Sequence, residues 1–123
     1  MITPVFQELI NQFIQYAREH SSEEVCALIY NDRLQIVPNV APNKKTNFQI
    51  SNLEMLDGYQ SKTGVQALLH SHPIGSSEPS TTDRNGIMST GCRWIIYSVK
   101  YDHLWDSEHE KRDLLRRVKK SVR

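Results

Sequence analysis

Val65-Gln66-Ala67-Leu68-Leu69-His70-Ser71-His72-Pro73 decides the reading of this chain. A short apolar run of this kind is a buried strand, and here it terminates in two histidines, which fall at or just beyond its end. Residues two apart in a strand share a face, so both imidazoles can point at one spot. The loop from Pro73 to Pro79 consists of Pro, Ile, Gly, Ser and Glu, and Ser80-Thr81-Thr82-Asp83 has the form of an N-cap with an acid in the first helical turn. Ten residues separate His72 from Asp83, enough for the chain to reverse and lay that helix, running to about Thr90, over the strand end. Asp83 then adds an oxygen ligand to two nitrogen ligands. Two histidines and one carboxylate leave a fourth position for water, the arrangement of catalytic rather than structural zinc. Hydrolysis of an amide also needs a group to take a proton and pass it to the leaving nitrogen, so a Glu is wanted nearby.

Working outward, Arg93 to Val99 reads as the next strand and Tyr101 to Trp105 as a last one. Upstream, Ser51-x-x-Glu54 resembles a capping box opening a helix to about Ser61, and Phe48 to Ile50 reads as a short strand after a Pro-, Asn- and Lys-rich loop from Pro38 to Asn47. Val25 to Tyr30 and Leu34 to Val37 form a hairpin around the turn signal Asn31-Asp32. At the start, Thr3 and Pro4 are a cap and first position for an amphipathic helix with Val5, Phe6, Leu9, Ile10, Phe13, Ile14 and Ala17 at helical spacing.

Around His70 the string is fuller than two histidines. It reads His70-Ser71-His72-Pro73, six residues, Ser80, two residues, Asp83, with Glu23-Glu24 entering an early strand. This resembles the JAMM motif of the MPN domain family, metallopeptidases that include isopeptidases and many bacterial and phage members. The resemblance runs from about residue 3 to 105. It implies an α/β domain with a curved, mixed β-sheet flanked by helices, of cytidine-deaminase-like architecture. It implies zinc held by His70, His72 and Asp83, Glu24 as acid and base, and Ser80 as a donor to the oxyanion of the tetrahedral intermediate. The short phage tail-assembly members are the most similar, their Glu-x-Cys-Gly aligning with Glu24-Val25-Cys26-Ala27. The expected substrate is a protein or peptide: a ubiquitin-like tail, a sulfur-carrier protein, or a phage structural or cell-wall peptide. The alternative is a metal-stabilised binding or assembly module. A nucleoside deaminase needs His-x-Glu and Pro-Cys-x-x-Cys, and a helical zincin His-Glu-x-x-His; the sequence contains none of these.

With 123 residues and a net charge of +1, the chain is expected to form one domain over residues 1–105, with no membrane and no nucleic-acid partner. Residues 106–123 are expected to form a basic helix packed on it, with Leu114, Leu115 and Val118 at helical spacing. Cys26 and Cys92 lack metal-ribbon or redox spacing and read as reduced core thiols, in keeping with a cytoplasmic setting in a bacterium or a phage-infected host. Trp94 and Trp105 read as core, and the spacing of His20, His103 and His109 in the sequence does not mark them as metal ligands.

Overall fold

The computed structural model describes residues 3–110. Thr3 caps α1 (Pro4–Glu19), its hydroxyl accepting from the Phe6 N–H at 3.1 Å, and Pro4 opens the helix where its missing N–H goes unmissed. Strands β1 (Cys26–Tyr30) and β2 (Arg33–Val37) meet at Asn31-Asp32. Both turn residues have positive φ, 53° and 54°, which a two-residue hairpin requires and Asn and Asp tolerate. Ser51 caps α2 (Asn52–Gln60), β3 (Ala67–His72) leads into α3 (Thr81–Thr90), and β4 (Trp94–Ser98) and β5 (His103–Asp106) follow.

The strands form one mixed sheet in the order β2-β1-β3-β4-β5. β1 is antiparallel to β2 and β3, β3 is parallel to β4 with α3 as the crossover, and β5 is antiparallel to β4. Alternation sorts the side chains. Ala27, Ile29, Leu69, Ile95 and Tyr97 meet Leu9, Ile10, Phe13 and Ala17 of α1 on one face. Cys26, Leu28, Leu68 and Trp94 meet Met55 of α2 and Ile87 of α3 on the other. A mixed sheet flanked by helices is thus the fold that was expected.

Against expectation, β1 starts one residue later than Val25, β2 one residue earlier than Leu34, and β4 is one residue shorter at each end than Arg93 to Val99; three further differences bear on the site. β3 begins at Ala67, not Val65, and carries both histidines within it, because β4 runs alongside as far as the His72–Ser98 pair. Phe48 to Ile50 joins no strand; the Phe48 ring instead stacks on His70 and meets Trp94 edge-on, over the face of the sheet rather than along its edge. The last strand starts at His103 because Tyr101 and Asp102 form the turn before it, Asp102 with φ 51°, and it includes Asp106. Residues 107–110 are helical; from 111 on, the expected basic helix lies outside the described residues. Among those described, no helix is long and apolar enough to cross a membrane.

Candidate metal centre

His70 and His72 share the face of β3 that looks toward α2 and α3. Cys26 sits opposite His70 in β1, and the ladder continues one residue further: the Ser71 N–H donates to the Val25 carbonyl at 3.0 Å and the Val25 N–H to Ser71 Oγ at 3.0 Å. Glu24 is thereby held beside the histidines. Its N–H donates to the Lys44 carbonyl at 2.7 Å, its carbonyl accepts from Asn39 Nδ2 at 2.8 Å, and its Oε1 lies 3.3 Å from His70 Nδ1. Glu24 is buried and Glu23 exposed.

The third wall comes from the start of α3, whose capping box is reciprocal. Ser80 Oγ accepts from the Asp83 N–H, and Asp83 Oδ2 accepts from the Ser80 N–H, both at 3.0 Å. This turns the Asp83 carboxylate back toward the strand end, with Oδ1 3.3 Å from His70 Nε2 and Oδ2 3.1 Å from His72 Nε2. The five residues expected at the site, Glu24, His70, His72, Ser80 and Asp83, therefore form one contiguous group.

His72 Nδ1 lies 2.6 Å from the Ser76 carbonyl, which can only accept, so Nδ1 carries hydrogen and Nε2 is the atom left to face Asp83. Burial opposes a charge on His72, but the bonds to Asp83 and Ser76 outweigh it and raise its pKa. Burial opposes the charge on Asp83 too, yet the two imidazoles and the Ser80 N–H hold its carboxyl far below the usual carboxylate range. His70 is fully buried, stacked on Phe48 with ring centroids 4.1 Å apart and edge-on to Trp94. Both its nitrogens stand 3.3 Å from a carboxylate oxygen, and neither makes a directed hydrogen bond.

That combination fits a cation. An orphaned buried polar atom costs about 1–3 kcal/mol, and burying two carboxylates costs several more unless positive charge balances them. Glu24, His70 and His72 each offer a ligand atom within 4.8 Å of one another. Tetrahedral zinc with bonds of about 2.0–2.1 Å sets its ligand atoms roughly 3.3 Å apart. Asp83 Oδ1 lies at about that distance from His70 Nε2 and Oδ2 from His72 Nε2, a different oxygen of the same carboxylate facing each histidine. Beside Ser80 and Asp83, a pocket of about 220 Å³ opens over Phe48, Ile50, Met55, Leu68 and Trp94.

Sequence reading missed the Ser76 carbonyl and Phe48. A backbone acceptor leaves no mark in a sequence, and an aromatic after a loop is indistinguishable from any core residue.

The family model for prokaryotic homologs of the JAB domain matches residues 6–113. The fold is similar to the solution structure of protein DSY2949 from Desulfitobacterium hafniense, with 19% identity over 76% of this chain and 72% of that one and a TM-score of 0.58. At that identity the likeness speaks for the fold alone. No curated protein matches the chain.

Proposed function

Because this chain belongs to the prokaryotic homologues of the JAB domain, we propose that it is a zinc-dependent peptidase or isopeptidase, hydrolysing an amide bond near the flexible end of a protein or peptide. The observation that carries this reading is the fully buried His70, both of whose nitrogens face carboxylate oxygens at 3.3 Å without a hydrogen bond. His70, His72 and Asp83 hold the zinc. When bound, zinc supplies Lewis acidity, polarising a carbonyl and bringing the pKa of water toward neutrality.

The chain's own residues do the rest. Glu24 takes a proton from the attacking water at a carboxylate oxygen and hands it to the leaving nitrogen. Ser80 Oγ uses a lone pair in the helix cap, which leaves its own hydrogen to donate to the substrate oxygen as negative charge develops there. The apolar pocket beside Ser80 receives a side chain of the substrate and holds the amide in place.

Elemental analysis should find about one zinc per chain. Alanine at His70, His72 or Asp83 should lower that content. Glu24→Gln should keep the zinc and lower cleavage of a fluorogenic peptide library about 100- to 10,000-fold, with Glu23→Gln near neutral. Three alanine variants with wild-type zinc would place the metal elsewhere. A zinc-loaded wild type that cleaves nothing in the library would favour the assembly module instead.

A further inference from the structure

His72, Ser98 and His103 stand side by side across β3, β4 and β5: His72 pairs with Ser98, and Ser98 with His103. Each of the three holds one residue of the loop that leaves His72. Ser98 Oγ donates to the Gly75 carbonyl at 2.7 Å, His72 Nδ1 to the Ser76 carbonyl at 2.6 Å, and Ser77 Oγ lies 2.6 Å from His103 Nδ1. Ser98 is fully buried and Ser77 nearly so. The loop's large aliphatic side chain, Ile74, is 72% exposed and does not anchor it, and its two prolines are only half-buried. These hydrogen bonds therefore set where the Ser76 carbonyl sits, and that carbonyl sets the tautomer and the tilt of the His72 ring.

We propose that Ser77 and His103, with Ser98 between them, are positioning residues for the metal centre, holding the 73–80 loop so that the Ser76 carbonyl fixes His72 with Nε2 facing the metal. The proposal rests on the zinc reading given above. Groups that orient a ligating histidine raise its basicity and remove the entropy of aligning it, and their loss typically weakens metal binding about 10- to 100-fold. Ser77 and His103 act one step further out, so the lower end of that range applies.

The experiment uses the full chain, with Zn²⁺ affinity measured by competition against a chelating dye and the Co²⁺ absorption spectrum as a direct view of ligand geometry. Ser77→Ala and His103→Leu should each weaken Zn²⁺ about tenfold and alter the Co²⁺ bands. The double variant should be no weaker than either alone, since both remove the same bond. His103→Asn, whose amide reaches the place of Nδ1, should restore most of the affinity. If His103→Leu fails to fold, Ser77→Ala, which deletes a single oxygen, carries the test. Single variants within about twofold of wild type, additive losses, or no rescue by Asn would overturn the proposal while leaving the zinc reading intact. A wild type that takes up no zinc would overturn both.

Discussion

Cys26 lies on the same face of the sheet as Glu24, fully buried, its thiol donating to the Val37 carbonyl at 3.5 Å. Burial, and then the nearby Glu24 charge, push that thiol from 9.0 up to about 12. The folded state thus keeps a proton that the unfolded chain gives up. The stabilisation is fully present below about pH 9 and is lost as the pH rises toward about 12. At about pH 8, iodoacetamide should modify the half-buried Cys92 in the folded protein and leave Cys26 untouched, with both labelled after denaturation. Mass spectrometry checks this, and a folded protein labelled equally at both positions would count against the burial described. At this scale strand parity reaches only so far: it puts Glu23 and Glu24 on opposite sides of the chain, but it was the alignment of Glu24-Val25-Cys26-Ala27 with the family's Glu-x-Cys-Gly that selected Glu24. The Ser77–His103 pair was not readable, because its partners are 26 positions apart and a serine hydroxyl adds nothing to any hydrophobic period.

The elements were legible from their ends. Thr3, Ser51 and Ser80 cap α1, α2 and α3 as local chemistry requires, and Asn31-Asp32 makes the hairpin turn. Their partners were not, because periodicity tells which face of a strand is buried and not which strand lies next to it; Phe48 to Ile50 looks like a strand, yet the Phe48 ring stacks on His70. The packing of α3 on β4 shows how tight such a contact is. A Cβ on Gly86 would come within 2.5 Å of Trp94 Cη2 and 2.7 Å of Cζ2. The indole cannot swing freely, being buried and bonded through Nε1 to Thr90 Oγ1 at 3.0 Å. Alanine is the better helix former by about 1 kcal/mol, but overpacking costs typically 1–3 kcal/mol. Gly86→Ala should therefore lower stability by up to roughly 2 kcal/mol, a loss of up to about 10 °C in a thermal melt. A melting temperature at or above wild type would show that the helix moves aside without cost.

At the scale of the molecule, the candidate site is joined from the segment before β1, from β3 and from the start of α3, so under the proposed reading the zinc ligands come together only in the folded state. Saturating zinc at about a hundred times its Kd should add about 2.7 kcal/mol and raise the melting temperature on the order of 10 °C, with EDTA reversing the gain and His70→Ala abolishing it. A melting curve unmoved by zinc would contradict the shared site. The mixed sheet itself was visible in the sequence only through the family resemblance, since β1 meets β3 across a hairpin strand, a long loop and a helix. The row of His72, Ser98 and His103 has a further consequence, in time rather than in space. A growing polypeptide releases Glu24, His70 and Asp83 before the strand that ties down their loop. At roughly 5–20 residues per second the 20 positions from Asp83 to His103 take on the order of seconds to synthesise. During that interval the newborn chain carries the residues of the proposed metal site without the strand that aligns them, so under that reading the ion is taken up only after β5 has left the ribosome.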